Sequence, residues 1–458
     1  MPGWANPPYL SPPMSIWDTL FGRAPRYTPG NEPDHRFGRY TDAYKSRENY
    51  AAWDRAVDAF EEDRFLDSCA AFLEYLRDER EDNVKWQRED DRLYFEFYQG
   101  SKRVTGFADR EQLRATARIA RLERPDTDLL RRLTAMNYEL KYSRFALDED
   151  NCLTIIFDTP VVDASPHKLY HALKEMALRA DKQDDLLLEE FRGTLSPVEV
   201  THLAPLRAEE KRLKLHFLRT SIQSVTDYLG GGALNPEEHP GAVAYLLLEL
   251  VYRLDYLLIP EGHTMEALER MHRMYFARET EQAVTFKNVR LLGELQSLLR
   301  RAPEAFAEEL YEGKSTFGIT LPASHDRLSG LIRNELPNMD WYQDNDFPEV
   351  ARAIPGYIAG YALFNYAVPP PDRDLLQLYY RVSENAYFQD LGYRQELIGR
   401  DGRPARRAVK AAIAEVVERH RREYPRMRPV TSHLSFESFP DFGRTYLEMV
   451  GELDLSRP

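Results

Sequence analysis

The chain has 458 residues, enough for two or three domains with sizeable cores, which excludes a peptide, a disulfide mini-protein and a fibrous repeat. Acidic residues number 75 against 61 lysines and arginines, a net charge of −14 at pH 7, so the bulk surface repels nucleic acid and anionic membranes. With 43% apolar and 12% aromatic residues the composition is that of a globular chain.

Residues 1–33 carry eight prolines and no basic segment followed by an apolar run, so residues 1–40 read as an extended proline-rich arm rather than a secretory leader. Within it, residues 15–21 form a short amphipathic patch expected to dock on the body. Two cysteines, Cys69 and Cys152, each sit in an apolar pattern, which argues against a disulfide framework and for a cytoplasmic setting.

The arm gives way to an α+β domain over residues 41–195. Trp53, Ala56, Val57 and Phe60 recur at helical spacing, as do Phe65, Cys69, Phe72, Leu73 and Leu76, which predicts one broken helix or two. The period then drops to two: Val84 and Trp86, then Leu93, Phe95 and Phe97 across an acidic turn, predict a hairpin, and residues 104–107 a third strand. Residues 111–122 fit a strand through Leu113, Ala115, Ala117 and Ile119, and fit a helix face through Leu113, Thr116, Ala117 and Ala120; strand is preferred. A helix follows from Asp126 and Thr127 through Met136, then a strand ending at Leu147, an acidic turn, and an apolar strand over 152–157. Ser165 and Pro166 open the best-signalled helix, serine capping and proline in the first turn, running to about Phe191.

A linker near 194–205 precedes an all-α region over 206–458, with helices expected at 208–229, 241–258, 264–277, 285–300, 303–311, 324–334, 347–366, 372–384, 404–424 and 439–452, and a sub-boundary near 313–323. The most apolar runs, 242–259 and 354–368, are too interrupted or too short to span a bilayer.

The order helix, three strands, helix, two strands, helix over roughly residues 57–191 resembles the YbjN-like family, whose fold resembles type III secretion chaperones. The residues carrying the likeness are Leu133-Thr134-Ala135-Met136-Asn137-Tyr138, Ser143-Arg144-Phe145-Ala146-Leu147-Asp148-Glu149-Asp150, the strand from Leu153 to Phe157, and Ser165-Pro166. The resemblance implies a small acidic module, often dimeric, that holds a protein segment and brings no catalytic residues. The helical second half departs from stand-alone members.

No motif identifies a reaction or a cofactor. His167, His171 and Glu175 share a helical stripe that can offer two imidazoles and a carboxylate to zinc, but it falls opposite the apolar face and reads as solvated. Glu269 and His272 make one Glu-x-x-His step where a di-iron bundle needs two. Gly313-Lys314-Ser315-Thr316 imitates the end of a phosphate loop without its first glycine or its strand. Residues 400–428 hold ten basic against four acidic residues, read as the wet face of an amphipathic helix rather than a nucleic-acid site.

The leading expectation is therefore a non-catalytic binding, chaperone-like or scaffolding protein, compatible with a homodimer, that engages a protein partner through Tyr94, Glu96 and Tyr98 on an outward sheet face and through Trp341 and Tyr342 in an acidic aromatic loop. No catalytic residue, cofactor or metal is assigned. The alternative is an enzyme with a pocket in the helical half, where His325, Asp326, Asp340 and Asp344 converge.

Overall fold

A computed structural model describes residues 32–33, 35–198, 203–277 and 283–456. The patch at 15–21 lies outside the described residues.

Ser46 caps α1 (Arg47–Glu61) by accepting from the Asn49 amide. Asp63 then takes a left-handed φ of 58° and breaks the apolar pattern before α2 (Phe65–Leu76), so the first helical stretch is a packed pair. Four strands follow: β1 (Val84–Glu89), β2 (Arg92–Gln99), β3 (Lys102–Ala108) and β4 (Gln112–Leu122). The expected group of three strands is thus four, because β4 pairs β3 on one edge and β6 on the other along its length. A register shift between Arg118 and Ala120 turns Ile119 and Ala120 both inward.

Asp126 caps α3 (Thr127–Glu139), which leads to the edge strand β5 (Arg144–Leu147) and the central β6 (Cys152–Pro160). The sheet runs β1-β2-β3-β4-β6-β5, every neighbour antiparallel, with β7 (Leu195–Pro197) beside the end of β4. Leu93, Phe95, Phe97, Val104, Leu113, Ala115 and Ala117 are buried on one face, covered by α2 and α4 (Pro166–Glu190), with α1 packed on both helices. The other face, with Tyr94, Arg103, Thr105, Arg114 and Arg118, is exposed. This alternation is what one solvated face of an antiparallel sheet demands.

The second half is a helical lobe around α6 (Pro240–Leu258) and α12 (Pro348–Asn365), apolar nearly all round and packed on each other. Around them lie α5 (Ala208–Gly230), α7 (Gly262–Phe276), α8 (Val284–Leu299), α9 (Pro303–Glu308), α10 (His325–Glu335), α11 (Asn338–Asp344), α13 (Pro370–Ser383), α14 (Asn385–Asp390), α15 (Arg406–His420) and α16 (Phe439–Gly451). It is not purely α. Ala204–Pro205 pairs with Tyr311–Glu312, and Leu321–Pro322 with Tyr366–Ala367.

Each half has its own apolar core, and Phe317 from the second half belongs to the first core. No helix among the described residues is long and apolar enough to cross a membrane.

Candidate functional site

Between the two halves lies a cleft of about 900 Å³, lined along one side by residues 32–33 and 35–41. This stretch is not a free arm. Glu32 pairs with Arg381 at 2.8 Å, Arg36 with Glu81 at 2.8 Å, and Arg36 also donates to the Gly313 carbonyl at 2.9 Å. Phe37 packs among Tyr256, Phe388 and Tyr393. The Gly38 amide donates to the Tyr256 carbonyl at 2.8 Å, and a Cβ there would lie 2.5 Å from the Tyr256 ring, so only glycine lets the strap come this close.

Arg39 is the strap's central anchor. Its Nε and one terminal nitrogen donate to both oxygens of Asp255 at 2.9 and 2.7 Å, the other reaches Glu269 at 3.1 Å, and its guanidinium carbon stands 3.9 Å from the Phe364 ring centre. A planar fork on a carboxylate, with a ring beneath, is the arrangement in which arginine outperforms lysine. Burial disfavours the charged form of Glu269, but Arg39 and then Lys182 outweigh it, so the Glu269 carboxyl sits below its ordinary value.

The opposite wall is acidic without such a partner. Asp181, Asp184 and Asp185 project from α4, facing Glu261 at the start of α7 and Tyr311 beyond α9. Lys102 pairs with Asp184 at 2.5 Å, and Ser101 donates its hydroxyl to Asp184 and its amide to Asp181. Among the described residues Asp184 Oδ1 has no hydrogen-bond donor. Burial, then the charge of Asp184, raises Asp181 well above the carboxylate range and Asp185 to about 7; burial, then Asp181, raises Glu261.

Residues 313–319 close the seam below this wall. The Gly100 amide donates to the Lys314 carbonyl at 2.9 Å, Thr316 Oγ1 donates to the Tyr98 carbonyl at 2.7 Å, and the amides of Thr316 and Phe317 both donate to Gln99 Oε1. The false phosphate loop is therefore a strut. A Cβ on Gly313 would stand 2.8 Å from Gly100 Cα, which explains the glycine better than any ligand does.

The residues singled out in the sequence fare unevenly. Tyr94 is 37% exposed on the open sheet face and Glu96 is half-buried beside it. Tyr98 corrects the expected stripe: it is 6% exposed, its hydroxyl bonded to Glu96 and its ring under Lys314. Trp341 is 48% exposed, stacked on Phe347, while Tyr342 packs against Tyr245 in the helical core. His325, Asp326, Asp340 and Asp344 are not brought together as a site. His325 is bonded to buried Asp372 at 3.0 Å and Asp340 to Arg444 at 2.6 Å, whereas Asp326 and Asp344 are exposed on α10 and α11.

Glu175 is no zinc ligand on a wet stripe either: it accepts from the amides of Lys141, Tyr142 and Ser143 and fixes the α3–β5 turn. His272 bonds the Tyr252 hydroxyl at 2.8 Å, and burial lowers it to about 4. Among the described residues no group of three or more histidines, cysteines and carboxylates is placed to hold a metal ion. Both cysteines are buried and unpaired, and burial raises the Cys69 thiol to about 12.

No family model matches the chain, and no curated protein matches its sequence.

Proposed function

We propose that the protein is an intracellular, non-catalytic binding protein, chaperone-like or scaffolding in role, that engages an extended polypeptide segment of a partner in the interlobe cleft. Its front module then serves as a sheet-and-helix platform of the secretion-chaperone kind, and the helical lobe supplies the second wall.

One observation carries this reading: the cleft already holds a length of polypeptide, in cis. Residues 35–40 are half-buried along their whole length and are gripped by a backbone hydrogen bond, an aromatic cage and three arginine–carboxylate contacts. Those are the interactions by which peptide grooves recognise a chain, main-chain bonds giving affinity and side-chain pockets giving selectivity. The groove is selective for an arginine on either side of an aromatic–glycine step, as in Arg36-Phe37-Gly38-Arg39.

A labelled synthetic peptide spanning residues 32–41 tests it by fluorescence anisotropy. The peptide should bind a Phe37→Ala variant, whose own strap is weakened, at least about tenfold more tightly than the intact chain, which must first vacate the groove. Binding to neither protein, with the variant still folded, sinks the proposal.

A further inference from the structure

The acidic wall of the cleft is also the seam on which the two halves close. From the front module come Asp181, Asp184 and Asp185 of α4 with Lys102 of β3; from the helical lobe come Glu261, Tyr311 and Glu309, the last already paired with Arg301 at 2.6 Å and bonded to Thr264. Glu312 continues this side. Lys182 of α4 turns to Glu266 and Glu269, and Arg39 of the strap is committed to Asp255 and Glu269. Asp181, Asp184 and Asp185 thus share one local ammonium, Lys102, and the cation acting on Glu261 is Arg39, already bound to Asp255 and Glu269.

Such a group cannot ionise in full while it stays closed. Each added charge meets its neighbours in a medium that screens poorly, and Asp184 Oδ1 already lacks a donor. Nor can the seam relax by a small shift. Gly100 and Gly313 meet backbone to backbone directly under Asp181, whose oxygen would stand 1.9 Å from a Cβ on Gly100. The relief available is separation of the halves, which rehydrates every carboxylate at once.

We propose that this seam is a pH-sensitive latch: while Asp181, Asp185 and Glu261 keep their protons the two halves stay closed on the strap, and their ionisation parts the halves and opens the cleft. The proton leaves to solvent, and no other reactant is required. The closed form binds more protons than the open form, so closure weakens as pH climbs from the ordinary carboxylate range, about 4, through the value near 7 that Asp185 holds when closed. The latch holds whatever segment the cleft takes in trans.

Hydrogen exchange of residues 313–319 in the full chain reads it, because the Thr316 and Phe317 amides donate across the seam. Rates are referenced to intrinsic chemical exchange at each pH. Between about pH 6 and about pH 8.5 protection in the native sequence should fall roughly tenfold or more, and in Asp181→Asn with Glu261→Gln, where neither amide can ionise, it should change less than about twofold. Should that pair fail to fold, Asp185→Asn is the second variant and should reduce the fall. Protection that is constant across the range in the native sequence overturns the latch, and so does a fall that persists undiminished in the variants.

Discussion

Two carboxylate pairs face the same cleft and behave oppositely. Asp255 and Glu269 accept from Arg39, and the Glu269 carboxyl sits below its ordinary value; Asp181 and Glu261, among the described residues, accept from no guanidinium, and both are raised well above theirs. Both pairs are removed from water, so burial alone cannot explain the difference. What decides is whether a cation with matching geometry came with the fold. The first pair works as a socket, the second as a seam.

The most damaging way to break this contrast is to empty the socket. Arg39→Ala leaves buried Asp255 without its guanidinium, leaves Glu269 to Lys182 and Arg273 alone, and removes the ring contact to Phe364, so it should cost about 3–5 kcal/mol in denaturant unfolding. A loss below about 1 kcal/mol would mean that the strap is a surface segment and that Asp255 and Glu269 are hydrated without it. Arg39→Lys keeps the charge but loses the fork, and should recover only part of the stability.

The seam is probed next by Phe317→Ala. This ring, 1% exposed, is the second half's one contribution to the front core among the described residues, set edge-on against Phe97 and Tyr170. Truncation should cost about 3 kcal/mol and loosen residues 313–319 before either core melts. Differential scanning calorimetry distinguishes the outcomes: a single transition shifted down as a whole would show that the halves do not part separately.

The contrast also explains what could be read without coordinates. The helices of the second half follow the expected spans closely, because 3.6-residue periodicity between Pro and Gly breakers is a local signal; the two without an expected span, α11 and α14, have seven and six residues, too few to show a period. The strand at 112–122 competes with a helix pattern on paper and is settled by pairing on both edges, a tertiary fact. The cleft was invisible for the same reason. Arg39 meets carboxylates 216 and 230 positions away, and Asp181 meets Glu261 across the halves, with no spacing rule to connect them. The one available signal was Arg36-Phe37-Gly38-Arg39 itself, a dense recognition-like tetrapeptide in a segment otherwise dismissed as a proline-rich arm. Tyr98 was misplaced because β2 alternates correctly but Lys314 of the strut arrives over its end of the open face.

The smallest effect separates the two pairs by the sign of their pH dependence. Glu269 has a folded-state value below its unfolded one, since Arg39 and Lys182 outweigh its burial, so its contribution is fully present above about pH 4.5 and disappears as acid protonates it. The seam does the reverse, losing stability as pH rises toward 7. Glu269→Gln should therefore lower stability at neutral pH by about 1 kcal/mol, flatten the acid limb of a stability–pH curve, and leave the slope between about pH 5 and about pH 8 unchanged. A variant curve that runs parallel to the native one on the acid side would show that Arg39 rests on Asp255 alone, and the socket would shrink from two carboxylates to one.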